Sequence, residues 1–343
     1  RKALDNGFYR MPHNRQHADP KKAAIYQGLL PLITQLAAQT WHALAQQEMA
    51  PSHDSYLKMF EQNTDLIKHT FANYEVVFVD EAQDLNAVQR SIVEKAARPL
   101  VVIGDPFQQI YRWRGAENAL DAFDTPVYYL TQSFRFDQGI ADIANAILSQ
   151  HPHGAPEKLL RGTDMSSGQS THHHAGQPRG VICRSNNGII REAAKAIRSG
   201  AEIRIMGNFQ DVADYLRSAA NLYSNRRDEI THPSMRRYKI WRELCHEAKE
   251  TNDQGLKSLI QDIEKGDIIK DLNLVERTPQ APSDTEADVV LGTVHAVKGR
   301  EWPYVKLGDD IDGPLTLKEK ELKAREDKDQ NAVDQIAEEF NIL

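Results

Sequence analysis

A chain of 343 residues can build two cores, because a domain usually holds about 100–200 residues. Its hydrophobic fraction of 40% and charged fraction of 27% are ordinary for a globular protein, and no apolar run approaches the roughly 18 residues that span a bilayer, which excludes a membrane-spanning helix. The formal net charge of −7 argues against coating nucleic acid through bulk positive charge, but leaves open a narrow groove that grips one strand.

Arg1-Lys2-Ala3-Leu4-Asp5-Asn6 has no apolar block after its charges, so it is not a signal peptide, and without an initiator Met it reads as the inside of a longer protein. Cys183 and Cys245 stand far apart, which predicts neither a disulfide framework nor a cysteine-rich zinc site and fits a reducing, intracellular compartment. In chain order, residues 1–70 read as helical: Ile25, Leu29, Leu30, Ile33 and Leu36 recur at helical spacing, and Leu57, Phe60, Leu66 and Ile67 form a looser stripe. Over 71–150, the near-continuous apolar runs Val76–Val79, Leu100–Ile103 and Val127–Leu130 predict strands buried on both faces of a parallel sheet, with a helix over Ala87–Ala97. The pattern dissolves over 151–179, which reads as a linker; its triplet His172-His173-His174 fits a solvated loop better than a metal site.

Strands resume at Val181–Cys183 and Ile203–Met206, separated by a helix over Ile189–Ile197, and again at Asp288–Leu291 and Tyr304–Leu307. Residues 180–211 and 283–343 therefore form a second α/β layer, interrupted at 212–282 by a polar, mainly helical insertion. The tail from Leu315 is helical, with Val333, Ile336, Ala337 and Phe340 on one face. Strands alternating with helices imply an α/β fold with right-handed crossovers.

The first chemical signal is Val76-Val77-Phe78-Val79-Asp80-Glu81-Ala82-Gln83-Asp84. A buried strand ending in two carboxylates sets them at the sheet's carboxyl edge, where open α/β folds bind ligands. Asp80 suits a hydrated Mg2+, and Glu81 suits a general base that orients and deprotonates water. An acidic helix N-terminus, favoured by the helix dipole, explains the same residues without function. The second signal follows the next strand: Gly104-Asp105-Pro106-Phe107-Gln108-Gln109-Ile110-Tyr111-Arg112-Trp113-Arg114-Gly115-Ala116. Gly104 and Pro106 make a tight turn, and Gln108 offers an amide able to sense a terminal phosphate or its attacking water. Beyond it, aromatics alternate with arginines. Aromatic faces stack unpaired bases at about 1–3 kcal/mol each, whereas Tyr111 and Trp113 as core residues would not need Arg112 and Arg114 between them.

These two segments, with Thr131-Gln132-Ser133-Phe134-Arg135-Phe136 and Thr293-Val294-His295-Ala296-Val297-Lys298-Gly299-Arg300-Glu301-Trp302, resemble motifs II, III, IV and V of superfamily 1 helicases of the UvrD/Rep/PcrA kind, in family order. Ser52-His53-Asp54-Ser55-Tyr56-Leu57-Lys58 and the Thr131–Phe136 wording are similar to the F-box DNA helicase branch and its prokaryotic relatives, although no F-box is visible. The resemblance implies two RecA-like (P-loop NTPase) parallel-sheet domains, both incomplete here and carrying helical insertions, with ATP and Mg2+ in their cleft and single-stranded DNA or duplex junctions as substrate.

Carried over position by position, the resemblance makes Asp80 the magnesium residue, Glu81 the base, Gln108 the γ-phosphate contact and Arg135 an arginine finger. Gly299 and Glu301 would face the nucleotide. Trp113 would stack a base beside Tyr111 and Arg114; Thr293, His295 and Lys298 would touch the DNA backbone, as would Arg184 and Asn186 of the short Arg184-Ser185-Asn186 element. A packed, hydrogen-bonded His295 and a solvated Lys298 are the bland alternatives.

Two departures stand out. A phosphate-cradling G-x-x-x-x-G-K-[ST] loop is absent, for no Gly-Lys dipeptide occurs in the chain. The closing arginine motif is expected directly after Glu338–Leu343. Both point to truncation, with Arg300 a modest change within motif V. The expectation is an ATP-dependent DNA helicase, moving 3′ to 5′ by resemblance, cytoplasmic in a prokaryote or nuclear in a eukaryote, whose present segment alone is inactive. A helicase–nuclease and a non-catalytic helicase-derived DNA-binding protein are the rivals.

Overall fold

The computed structural model describes residues 20–111, 119–163, 179–250, 253–327 and 330–342. It is mixed α/β with short, all-parallel sheets, in two compact units: Arg1–Met165 with Pro314–Leu343, and Ser166–Gly313.

The first unit begins with helices α1 (Pro20–Ala45), α2 (His53–Gln62) and α3 (Thr64–Thr70), in line with the helical periodicity. Ser52 and Asn63 start α2 and α3 by accepting the Ser55 and Leu66 N–H groups. The α1 stripe is not core, since Leu29, Leu30 and Leu36 are 42%, 41% and 52% exposed. The second stripe is core only in part: Ile67 is fully buried among Leu57, Phe60, Phe71 and, from α4 (Ala87–Lys95), Val88 and Ile92, while Leu66 is 45% exposed. Burial of one such isoleucine stabilises by about 1.5–3 kcal/mol. A capping box fixes the start of α4, with Asn86 accepting from Gln89 N–H and Gln89 accepting from Asn86 N–H. On either side of α4, β1 (Val77–Val79) and β2 (Leu100–Val102) pair in parallel, Val79 opposite Val102.

Two expectations for this unit fail. Val127–Leu130 is not a strand; the strand is β3 (Gln132–Asp137), a few residues later. A continuous apolar run forms a central strand only with neighbours on its edges, and among the described residues β1 and β2 pair with each other alone. Tyr128 and Leu130 remain 87% and 89% exposed, and the Tyr129 hydroxyl donates to Glu157 at 2.7 Å. Residues 151–179 are not linker throughout: after α5 (Gln138–Leu148), which Asp137 caps, Arg161–Thr163 forms β4 and pairs with β3. His172, His173 and His174 lie outside the described residues.

In the second unit, β5 (Arg179–Cys183), β6 (Ile203–Ile205), β7 (Val289–Thr293) and β8 (Tyr304–Leu307) make one parallel sheet in the order β6-β7-β5-β8. Helix α6 (Asn186–Arg198) lays Ile189, Ala193 and Ala194 against Val181, Ile203 and Leu291. The insertion expected at 212–282 is helical: α7 (Phe209–Tyr223), α8 (Pro233–Arg236), α9 (Trp241–Glu250), α10 (Gln254–Lys265) and α11 (Asp267–Arg277). It packs into the unit, because Leu216, Leu244, Leu259 and Leu272 share a buried cluster with Ile190 of α6. A one-turn helix, α12 (Val294–Val297), follows β7.

The tail forms α13 (Pro314–Glu326) and α14 (Gln330–Phe340), closed on Leu317, Val333, Ile336 and Phe340. The sequence reading groups it with the second α/β layer, but its contacts lie in the first unit. Ile147 of α5 packs on its seam, His151 donates from Nε2 to the Ala337 carbonyl at 3.2 Å, and Asn341 Nδ2 donates to the Gln109 carbonyl at 2.9 Å. Periodicity marked the apolar face without marking the surface that receives it.

Two polar contacts yield stability predictions. Glu61 is 7% exposed and accepts from Lys58 Nζ and Ser91 Oγ at 2.7 Å each, and from Lys95 Nζ. Burial alone would raise its pKa, but bonds from Lys58, Lys95 and Ser91 outweigh it and hold the carboxyl at about 2. A depressed folded pKa gives stability that is full above the ordinary value of 4.5 and lost as pH falls toward 2. Glu61→Gln should therefore cost on the order of 3 kcal/mol at pH 7 in urea unfolding, with the gap to the parent narrowing below pH 4.5 and closing only as pH falls through about 2. In α6, a Cβ on Gly188 would fall 2.1 Å from Asp310 Oδ2. Gly188→Ala should lower the unfolding free energy by about 1–3 kcal/mol in the same assay.

Candidate functional site

Parallel pairing of β1 with β2 brings both strands' carboxyl ends to one edge, and three of the expected site residues meet there. Asp80 and Glu81 follow Val79 directly, and Gln108 follows β2 on a short turn over Pro106–Gln108. Asp80 Oδ1 accepts the Glu81 N–H at 2.9 Å. Glu81 has φ 53° and ψ 40°, the left-handed region, which costs a non-glycine residue on the order of 1–2 kcal/mol. Surrounding bonds hold it there: Ala82 N–H donates to the Ile103 carbonyl at 3.0 Å, and Ile103 N–H to the Val79 carbonyl at 2.8 Å. Both acidic side chains are exposed, as is Gln108.

Asp105 organises the second turn. Its Oδ1 accepts the Phe107 N–H at 3.0 Å, and its Oδ2 accepts Gln108 Nε2 at 2.8 Å. Tyr111 is half-buried just beyond, whereas Arg112, Trp113 and Arg114 lie outside the described residues. Arg135 is exposed on β3, whose sheet partner is β4, so it does not stand on the β1–β2 edge. Its backbone N–H donates to Ser133 Oγ at 3.2 Å.

The donor set fits a hydrated divalent cation and an activated water: an exposed carboxylate beside a second one, with oxygen ligands throughout. The phosphate-cradling G-x-x-x-x-G-K-[ST] loop is not among these residues, for the chain has no Gly-Lys dipeptide.

In the second unit, β5 and β7 are neighbours, which brings Arg184, Asn186, Thr293, His295 and Lys298 to one carboxyl edge. Thr293 caps α12, its Oγ1 accepting the Ala296 N–H at 3.3 Å, and Lys298 closes that turn with its N–H on the Val294 carbonyl. Gly299 has φ 82°, where a side chain would be strained, and turns the chain toward exposed Glu301. Trp302 then packs over Gly180, where a Cβ would sit 2.6 Å from its ring. Ser185 caps α6, and the Asp310 carboxylate accepts from Arg184 N–H (3.0 Å), Ser185 N–H (2.8 Å) and Ser185 Oγ (2.7 Å). His295 and Lys298 are half-buried, while Asn186 is exposed.

Three residues that organise these edges were not singled out from sequence: Gln83, Asp105 and Asp310. Gly308-Asp309-Asp310 after β8 repeats the Gly104-Asp105 pattern after β2, a signal that was there to be read. Gln83 gave only a polar residue at an inward-facing position.

The family described as UvrD/REP helicase N-terminal domain matches residues 9–123. F-box DNA helicase 1 of Gallus gallus is 31% identical over 285 residues, covering 75% of this chain and 26% of the relative. F-box DNA helicase protein 1 of Schizosaccharomyces pombe is 27% identical over 282 residues, covering 75% of this chain and 31% of the relative. ATP-dependent DNA helicase PcrA of Leuconostoc citreum is 35% identical over 112 residues, 30% of this chain and 15% of the relative. The chain thus spans under a third of the length of the curated relatives it matches. Residues 9–123 thus match the UvrD/REP helicase N-terminal domain, and F-box DNA helicases and PcrA-type helicases together are similar to most of the chain.

Proposed function

We propose that this chain is part of an ATP-dependent DNA helicase that moves 3′ to 5′ on single-stranded DNA. The observation that carries the reading is the common edge of β1 and β2, where Asp80, Glu81 and Gln108 stand on adjacent loops. Asp80 would hold Mg2+ through its water shell, and Glu81 would orient water and take its proton. Gln108 would contact the terminal phosphate, Arg135 would neutralise charge as the bond to the leaving group breaks, and Gly299 and Glu301 would face the nucleotide. ATP, when bound, supplies the free energy that its γ-phosphate releases on transfer to water.

DNA contacts fall to Tyr111, Trp113 and Arg114 in the first unit and to Arg184, Asn186, Thr293, His295 and Lys298 in the second. The aromatic residues would stack bases and the others would meet the backbone, a division that allows grip without sequence preference. Duplex junctions are the substrate at which such movement separates strands. A second reading, a helicase-derived protein that binds DNA without hydrolysing ATP, would be favoured by an upstream segment that also lacked a Gly-Lys loop.

Hydrolysis of ATP, measured with single-stranded DNA on this chain and on the chain extended upstream through a G-x-x-x-x-G-K-[ST] loop, separates the two. The extended form should turn over and the chain alone should stay at background; robust turnover by the chain alone would overturn the account of the loop, and none by either form would favour the second reading. In the extended form, Glu81→Gln should lower kcat by about 10²-fold or more. Arg135→Ala should lower it by about 10³-fold. Lys298→Ala should weaken binding of a fluorescent oligonucleotide and reduce the slope of log K against log salt by about 0.7, the share of one single-strand phosphate contact.

A further inference from the structure

Gln83 has no exposed surface, yet it lies two residues from the exposed Glu81. A buried primary amide is costly unless its polar atoms are matched, and this one is matched on two sides. Its Oε1 accepts the Asp105 N–H at 3.1 Å, and its Nε2 donates to Glu81 Oε2 at 2.5 Å. A backbone N–H can only donate and a carboxylate accepts, so these partners admit one orientation of the amide. The Gln83 backbone carbonyl is also engaged, accepting Gln109 Nε2 at 2.8 Å.

The far partner, Asp105, is the residue that holds Gln108. A continuous path of hydrogen bonds therefore runs from the Glu81 carboxylate through the Gln83 amide to Asp105, and from Asp105 Oδ2 to Gln108 Nε2. The close approach depends on Gly104, where a Cβ would fall 2.4 Å from Gln83 Oε1. Packing alone would have been served by an apolar side chain of the same volume. An amide is needed only if the two turns must be held in register with each other.

We infer that Gln83 is a positioning residue for ATP hydrolysis: it sets the plane of the Glu81 carboxylate from the position of the Asp105–Gln108 turn, so that a shift of Gln108 is passed to Glu81. This rests on the roles proposed above for Glu81 and Gln108. A carboxylate displaced by about 1 Å from the attacking water loses catalysis without losing affinity for the nucleotide, which gives the inference its signature.

The test uses the extended polypeptide that carries the phosphate loop. Gln83→Met keeps the volume and removes both the acceptor for Asp105 N–H and the donor to Glu81, and Gln83→Leu removes both with a shorter, branched side chain. Each variant should lower kcat for DNA-stimulated ATP hydrolysis about tenfold or more while KM for ATP stays within about threefold. Gln83→Met added to Glu81→Gln should cause no further loss, because the amide acts through that carboxylate. A kcat within about twofold of the parent in both variants, a change confined to KM, or multiplicative losses in the double variant would overturn the inference and leave the role of Glu81 standing. Undiminished turnover in Glu81→Gln alone would instead sink the underlying reading, and this inference with it. Circular dichroism and thermal unfolding accompany each assay; failure of both variants to fold would also overturn the positioning role, since that role requires a framework that stands without the amide.

Discussion

Parallel strand pairing is the constraint on which every other feature depends. In a parallel ladder all strands end on one side, so the loops that follow them collect at one edge whatever their separation in sequence. That is how Glu81 and Gln108 become neighbours although a helix lies between them, and how Arg184 shares an edge with His295 across more than a hundred residues. The helices serve this geometry. Helix α4 carries the chain back from β1 to β2, and α6 does the same between β5 and β6, each started by a side chain that accepts the first free amides.

Within those edges, position is set largely by hydrogen bonds to the backbone of the turns. Glu81 occupies a backbone conformation that a non-glycine residue avoids, and it persists because the Ile103 carbonyl, the Gln83 amide and the Asp80 carboxylate all hold the turn. Were the turn relaxed, the chain would leave the strand in a different direction and the two carboxylates would no longer stand beside the Asp105 turn.

How much of this was legible beforehand depends on the kind of force involved. A run such as Val289–Leu291 declares itself, because a strand covered on both faces needs apolar side chains at every position; Val77–Val79 forms its strand too, but not buried on both faces as its run implied, since Phe78 is 64% exposed. The motif residues stood out by their place directly after such strands, although carboxylates there also suit a helix N-terminus without any function. Val127–Leu130 misled because strand propensity is only half of a strand; the other half is an unpaired edge, and that is a property of the neighbours. The docking of α13 and α14 was hidden for the same reason. Val333, Ile336 and Phe340 announce a face to be buried, but Ile147 and His151, which receive it, lie in a stretch whose own pattern is weak. Gln83 and Asp310 were missed since each works through geometry alone, one amide and one carboxylate placed where two loops must meet.

One construction recurs beneath several of the proposed functional residues. Asp105 bonds to the turn bearing Gln108, Asp310 to the amides of Arg184 and Ser185, Thr293 to the turn leading to His295 and Lys298, and Ser133 to the Arg135 amide. In each case a short side chain satisfies backbone donors that would otherwise need water, and in doing so it fixes the loop before any ligand arrives. Exposed long side chains such as Gln108 and Arg135 have several rotatable bonds, so their own conformations are inexpensive to change; the backbones beneath them are not. That division suits a surface which must engage and release its ligands repeatedly, because the entropy lost on each engagement is confined to side chains while the loops remain ordered throughout.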